Sequence, residues 1–331
     1  MSMRVLSRFA CVIVVFALAF SMAAVAVSST ASSASDKDPM DKLGSEVRGL
    51  VEKAKASGVK SDLRAIVFLG EGSDLAQAGS EMSRRGATVS TAFSGLGAMA
   101  VEMDTSEALG IASMSAVSTI LLDEREYYLP AMTDGAPATA GGATEVTEAS
   151  TAVWWASTAG VMGAEDVWDL GIIGDGVRVA VLDTGCDITQ NDLKDAVFSY
   201  KSFTSEEFHD VDGHGTATAG LVASRGVNDY VIPEFDGVVK MKGMAPGAKL
   251  MTGKVLDDTG YGWDSWIIGG IEWAVSGDDG IPGTGDEAQI ISMSLGGMEI
   301  PNDGDDPTSL ALDIASEEYG VICVLSAGNE G

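Results

Sequence analysis

The chain has 331 residues, 46% of them hydrophobic and 21% charged, so it is long enough for two domains with a sizeable core. Its 49 acidic and 20 basic residues give a formal net charge of −29 at pH 7. Because such a surface repels phosphate backbones, we do not expect nucleic acid as a partner. Most of the acidic excess falls after residue 150. Three explanations for it stay open: adaptation to high salt, calcium binding by some carboxylates, or an acidic surface that is merely soluble.

Residues 1–34 predict a secretory signal peptide. Arg4 and Arg8 form a basic start, residues 9–27 are almost wholly apolar, and small residues follow. We expect cleavage between about residues 26 and 34, and therefore a secreted, extracellular protein that meets the membrane only during export. The alternative is a membrane anchor formed by residues 9–27, since about 20 apolar residues span a bilayer.

Residues 64–122 predict a small α+β unit. Strands are expected at residues 64–69, 87–93, 98–103 and 117–122, and helices at residues 73–85 and 105–114. This βαββαβ order is that of a ferredoxin-like unit, which we place at the core of a first domain, residues 35–129. Residues 130–153, made largely of Ala, Gly, Thr, Pro and Glu, predict an exposed linker that proteases can reach.

The remaining residues, 154–331, alternate strands and helices. Strands are expected at residues 177–182, 249–256, 289–294 and 321–326, and helices at residues 214–223, 263–276 and 307–319. This alternation predicts an α/β domain with a parallel sheet and right-handed crossovers. The site of such a sheet lies outside the carboxyl ends of its strands. Asp183, residues 294–297 and Asn329 all lie at or just beyond the ends of predicted strands, so we expect them to share one cleft.

Three side chains are candidates for chemistry. A carboxylate such as Asp183 at the end of a buried strand is costly unless it is hydrogen-bonded, and an imidazole N–H is a suitable partner. His214 lies between two glycines at the start of a helix, where the helix dipole opposes premature protonation, as suits a general base. Asn329 is placed to donate its amide to an oxyanion. Taken singly, each has a simpler interpretation: a turn aspartate, a capping or core histidine, and a loop asparagine.

Together, these residues resemble the subtilisin-like serine proteases, the subtilases of peptidase family S8, over residues 154–331. The resemblance is carried by Val181-Leu182-Asp183-Thr184-Gly185, Asn191-Asp192-Leu193, Asp212-Gly213-His214-Gly215-Thr216, Gly243-Met244-Ala245-Pro246-Gly247-Ala248, Ser292-Met293-Ser294-Leu295-Gly296-Gly297 and Ala327-Gly328-Asn329. It implies a serine-type endopeptidase that hydrolyses peptide bonds in polypeptide substrates. In that enzyme Asp183 orients His214, His214 is the general base, and Asn329 stabilises the oxyanion.

The resemblance also implies a zymogen. The unit at residues 64–122 looks like the inhibitory, fold-assisting propeptide of the family, which binds its own protease in cis. Self-cleavage is then expected in the linker, between about residues 130 and 153.

The resemblance further assigns binding residues. It implies that Ser294-Leu295-Gly296 is a wall of the primary specificity pocket. It implies that Gly260-Tyr261-Gly262 is an edge segment that pairs with extended substrate as an added β-strand. Asp192 matches a position that often ligates calcium in the family, so a structural calcium is expected, with no catalytic cofactor.

The chain departs from the family pattern in three places. Ala217 and Thr218 stand where the family usually has a second histidine and a small or apolar residue. Gln190-Asn191 replaces a common His-Pro before Asp192. The nucleophile of the family lies in a Gly-Thr-Ser-x-Ala run some tens of residues beyond the asparagine, and no such run occurs in these 331 residues.

The missing run leads to an expectation about the chain. We expect it to be a fragment of an active secreted serine endopeptidase, inactive as it stands. The alternative is a binding protein of another class, which keeps the cleft and has lost the nucleophile. A nucleotide-binding domain is not favoured, because no Gly-rich phosphate loop follows the first strand.

Overall fold

The computed structural model describes four stretches of the chain, residues 37–129, 162–231, 238–297 and 306–328. From Asp38 onward they belong to one unit, which covers Asp38–Gly331. The predicted signal peptide, the predicted linker and Asn329 lie outside the described residues. Within the described stretches, no helix is long and apolar enough to cross a membrane.

The first domain contains the predicted βαββαβ order. After a 3-10 helix at Pro39–Lys42 come α1 (Ser45–Ser57), β1 (Asp62–Leu69), α2 (Leu75–Arg84), β2 (Thr88–Phe93), β3 (Ala98–Asp104), α3 (Ala108–Ala112) and β4 (Val117–Leu122). The strands form one antiparallel sheet in the order β2-β3-β1-β4. Helix α3 is shorter than predicted, because Asp104 and Glu107 form a turn in which their carboxylates accept backbone N–H groups before the helix starts.

Strand β1 lies inside this sheet and is buried on both faces, which explains its unbroken apolar run at residues 65–69. Successive strand residues point to opposite faces. Val67 packs in one cluster with Val47 and Met82 of the helices. Ile66 and Phe68 belong to a second cluster, which they share with buried residues of the second domain. The first domain therefore needs the second to cover one face of its sheet.

The first domain ends with β5 (Arg125–Tyr127). The elements of the second domain are α4 (Ala164–Asp169), β6 (Arg178–Asp183), β7 (Val197–Ser202), α5 (His214–Ala223), β8 (Tyr230–Val231), β9 (Val238–Val239), β10 (Lys249–Lys254), β11 (Tyr261–Trp263), α6 (Asp264–Ser276), β12 (Ile290–Met293), α7 (Pro307–Glu317) and β13 (Ile322–Leu325). Five of these strands form a parallel sheet in the order β13-β12-β6-β10-β7. The predicted α/β class with a parallel sheet is confirmed.

Strand β6 lies at the centre of this sheet and ends at Asp183. Val179 and Val181 pack with α5 on one face, whereas Ala180 and Leu182 belong to the cluster on the other face. Strand β7 lies at the edge, where Phe198 and Tyr200 are exposed. An edge strand lacks a continuous apolar run, which is why the sequence pattern missed it.

The first turn of α5 lies directly against the chain that leaves β6. A Cβ atom added at Gly215 would lie 2.1 Å from the carbonyl oxygen of Gly185. No side chain fits there unless the backbone moves. The approach of α5 to β6, and with it the position of His214, therefore depends on this glycine.

We expect Gly215→Ala to lower the free energy of unfolding by about 1–3 kcal/mol, as overpacking does. Gly49→Ala is the matched control, because Gly49 lies inside α1 with nothing within 4 Å of its added Cβ. It should raise the free energy by about 0.5–1 kcal/mol. Denaturant titration of both variants checks this, and an unaffected Gly215→Ala variant would contradict the packing.

Candidate active site

Asp183 and His214 form a hydrogen-bonded pair at the carboxyl end of the parallel sheet. Asp183 is the last residue of β6 and is fully buried, and His214 is the first residue of α5. Nδ1 of His214 lies 2.8 Å from Oδ1 of Asp183. The histidine side chain keeps 24% of its surface exposed, so its ring reaches solvent while the carboxylate does not. The structure thus brings together the two residues that the sequence singled out first.

The buried carboxylate of Asp183 is satisfied by three donors. Its Oδ1 accepts the backbone N–H of Thr184 at 2.7 Å as well as the imidazole. Its Oδ2 accepts the hydroxyl of Thr218 at 3.1 Å, a hydroxyl that also lies 3.0 Å from the carbonyl oxygen of Gly215. Such donors stabilise a buried carboxylate in its ionised form.

The role of Thr218 was missed by the sequence analysis, which noted only that this position departs from the family pattern. The signal was its spacing. Thr218 follows His214 by four residues, so both project from the same face of α5 toward the end of β6.

The electrostatic surroundings of His214 favour its protonated form. Burial alone lowers the pKa of His214. The hydrogen bond and the charge of Asp183, together with the charges of Asp212 and Asp210, outweigh burial and leave the pKa above its ordinary value. The pair therefore stabilises the imidazolium that forms when the ring accepts a proton.

Asp210 fastens the turn that precedes α5, another role that the sequence analysis missed. Its carboxylate accepts the backbone N–H groups of Gly213 and Thr216 and the hydroxyls of Thr184 and Thr216. The Thr184 hydroxyl in turn accepts the N–H of Gly215 at 2.9 Å. This network ties the start of α5 to the end of β6, so the pair is held from both sides.

A buried lysine supports the same strand end. Lys254, opposite Asp183 in the register of β10 and β6, is fully buried. Its ammonium group donates to the carbonyl oxygen of Thr184 at 2.9 Å and lies 2.9 Å from Asp258 and 3.3 Å from Glu206. Since a buried charge needs partners, these carboxylates keep the lysine in place.

The two predicted substrate-binding segments hold a strand of the chain itself. Strand β11 pairs antiparallel with β5, with Tyr261 opposite Tyr127 and Gly262 opposite Glu126. The next residue, Tyr128, donates its N–H to the carbonyl oxygen of Gly260 at 3.0 Å and accepts the N–H of Gly296 at 3.1 Å. Residues 125–128 therefore lie as an extended strand between segments 260–262 and 294–296.

Asp192, the predicted calcium ligand, is buried and bonded to protein groups. Its Oδ1 accepts the N–H groups of Val227 and Asn228, and its Oδ2 accepts the hydroxyl of Tyr230 at 2.8 Å. In the part of the chain that the structure describes, no group of three or more His, Cys, Asp or Glu residues is placed to hold a metal ion. These contacts give Asp192 a structural role in the loop, and the calcium stays a prediction.

Carboxylates cluster where the strand in the cleft meets α6. Asp264, the first residue of α6, accepts the N–H of Glu124 at 3.0 Å and the hydroxyl of Tyr128 at 2.9 Å. Burial raises the pKa of Asp264 to about 7, the charges of Asp123 and Asp306 act in the same direction, and the two hydrogen bonds oppose them. Asp264 is therefore a buried carboxyl group that titrates near neutral pH.

Replacing Thr218 by Val should raise the pKa of His214 further. Without this donor the negative charge of Asp183 is less compensated, so it stabilises the imidazolium more strongly. An NMR titration of the His214 ring in the full chain measures the change. Thr189→Val is the control, because the Thr189 hydroxyl bonds to Asp187 instead. A pKa that does not rise in Thr218→Val would contradict a hydrogen bond from this hydroxyl to Asp183.

The binding of residues 125–128 between segments 260–262 and 294–296, here called docking, should weaken as the pH rises from about 5 toward 7. The docked state keeps a proton on Asp264 up to about pH 7, whereas the released carboxyl loses it near its ordinary pKa of about 4. Hydrogen-exchange protection of these amides, corrected for intrinsic rates, measures docking. Asp264→Asn should reduce the pH dependence of this protection only in part, because burial also raises the pKa of Glu124 and Glu126. An unchanged slope would refute the role of Asp264.

Comparisons with known proteins agree with this geometry. Residues 174–331 match the model of the subtilase family. The major intracellular serine protease of Bacillus subtilis (strain 168) is 36% identical over 178 residues, which cover 52% of this chain and 48% of that protein. The minor extracellular protease Vpr of the same organism is 35% identical over 183 residues, covering 51% of this chain and 20% of that protein.

A solved structure supports the fold. The crystal structure of fervidolysin from Fervidobacterium pennivorans, described as a keratinolytic enzyme related to subtilisin, matches with a TM-score of 0.53 at 21% identity. The match covers 82% of this chain and 40% of that chain. The chain thus spans about half or less of the length of these relatives. The family match and the sequence relatives agree on one assignment: residues 174–331 are a peptidase S8 domain of the subtilase family.

Proposed function

We propose that the protein acts as a subtilisin-type serine endopeptidase that hydrolyses peptide bonds in polypeptides. The observation that carries the proposal is the hydrogen bond between Nδ1 of His214 and the buried Asp183, next to a cleft that already holds an extended strand. Of the two relatives named above, one is called a serine protease and the other an extracellular protease.

The proposal gives each residue a step. With Nδ1–H donating to Asp183, Nε2 of His214 carries the lone pair and accepts the proton of a serine hydroxyl as its oxygen attacks the scissile carbonyl. Asp183 stabilises the imidazolium that results. His214 then gives this proton to the leaving amine, and the same sequence with water releases the acyl group. The amide of Asn329 is proposed to donate to the oxyanion.

The serine nucleophile is the part of this proposal that residues 1–331 do not supply. The proposal requires a Gly-Thr-Ser-x-Ala run in the gene beyond the codon for Gly331. A stop codon directly after Gly331 would overturn it, and the cleft would then belong to a binding protein.

Residues 35–129 are proposed to be an inhibitory propeptide that binds in cis. Beyond β5 in the cleft, Glu272 of α6 accepts the N–H groups of Gly95 and Leu96 at 2.8 and 3.0 Å and the hydroxyl of Ser94 at 3.1 Å. The turn between β2 and β3 is thus fixed to the protease domain. Export as a zymogen rests on residues 1–34 alone, since the relatives include an intracellular and an extracellular protease.

We expect His214→Ala in the complete protein to abolish release of the propeptide, because losing the general base costs at least roughly 10⁴-fold in rate. Gel analysis and mass spectrometry of the secreted product measure processing. His209→Ala is the control, as that ring contacts Asp258. Normal processing in His214→Ala would refute the assignment.

A further inference from the structure

Tyr128 occupies a slot in the cleft that ends in a carboxylate. A Cβ atom added at Gly262 or Gly297 would lie 3.5 or 3.4 Å from the Tyr128 ring, so the ring fits between two glycines. At the end of the slot, the Tyr128 hydroxyl donates to Oδ1 of Asp264 at 2.9 Å. Both side chains are buried, with 7% and 3% of their surface exposed.

The carboxylate of Asp264 receives hydrogen bonds from the strand that fills the cleft. It receives the N–H of Glu124 and the hydroxyl of Tyr128 from that strand, and the hydroxyl of Thr308 at 3.3 Å from α7. Packing alone does not call for a carboxylate here, since an apolar residue would bury the ring equally well. A buried carboxylate that lacks a donor is costly, so an occupant of the slot is favoured when it brings one.

We propose that Asp264 is a specificity-determining residue that selects substrates with a tyrosine at the position of Tyr128. This inference rests on the proposed function. A substrate strand that pairs with β11 as β5 does places one side chain between Gly262 and Gly297. Tyrosine fills the slot and supplies the donor. Phenylalanine fills the slot and leaves the carboxylate short of one hydrogen bond.

A site that bonds the Tyr hydroxyl selects Tyr over Phe more strongly than an apolar pocket does. A site built to bond a substrate hydroxyl leaves a polar group unpaired when that hydroxyl is missing, whereas an apolar pocket discriminates weakly. The charge of Asp306, which stays when a substrate replaces the strand, adds a second preference because it disfavours an acidic side chain in this slot.

The first experiment uses the enzyme from the complete gene and two fluorogenic peptides. Both carry the sequence of residues 123–129, with Tyr or Phe at the position of Tyr128. At pH 8 we expect kcat/KM to be about 10–100-fold higher for the Tyr peptide, the effect of one hydrogen bond to a charged group. Asp264→Leu should bring the ratio close to one, while Asp313→Asn, on an exposed residue of α7, should keep it. Equal rates in the wild type, or a preference that survives Asp264→Leu, would overturn the inference.

The second experiment needs no catalysis. In the full 331-residue chain at pH 8, hydrogen exchange of residues 123–129 is compared for Tyr128→Phe, Asp264→Leu and the double variant. We expect Tyr128→Phe to speed exchange several-fold in the wild-type background and much less in the Asp264→Leu background, as coupled groups do. Additive effects would overturn the inference. If no peptide is hydrolysed while this coupling holds, the proposed function fails and the recognition contact stands.

Discussion

The buried carboxylate of Asp183 is the constraint around which the site is organised. A charge fully removed from water at the end of a central strand must be met by donors, and the chain supplies three of them. The neighbouring peptide N–H comes from the strand itself. The imidazole of His214 and the hydroxyl of Thr218 come from α5, which must therefore begin against the end of β6. This close contact of α5 with β6 is made possible by the glycine at the first turn of α5. It is held in place by the hydrogen bonds of Asp210 and of the buried Lys254.

The two domains depend on each other for the same physical reason, the burial of faces that neither covers alone. One face of the antiparallel sheet packs on its own helices, and the other joins the core of the second domain. Beyond that core, the chain continues as β5 into the cleft, where it pairs with β11 as an added strand. The contacts that fill the cleft are therefore extensions of the contacts that complete the fold.

Two side chains to which the motifs gave no role, Thr218 and Asp264, shape this site. The hydroxyl of Thr218, where the family usually has a small or apolar residue, reaches the carboxylate of Asp183. At Asp264 a buried carboxylate closes the slot that receives Tyr128. For Asp192 a motif predicted a calcium ligand, and the structure shows its oxygens accepting hydrogen bonds from the loop at residues 227–230. The motif therefore located this residue, and its surroundings determined its hydrogen-bond partners.

The sequence by itself determined the order of the elements and the pair at the centre of the site. Apolar periodicity located most strands and helices, and strand-end positions identified Asp183 and His214, because these signals are local. The edge strand β7, the pairing of β5 with β11, and the partners of Thr218, Asp192 and Asp264 were decided by the tertiary structure. Each depends on groups that lie far apart in sequence, such as Tyr128 and Asp264, and only the packing of the chain brings such groups within hydrogen-bonding distance.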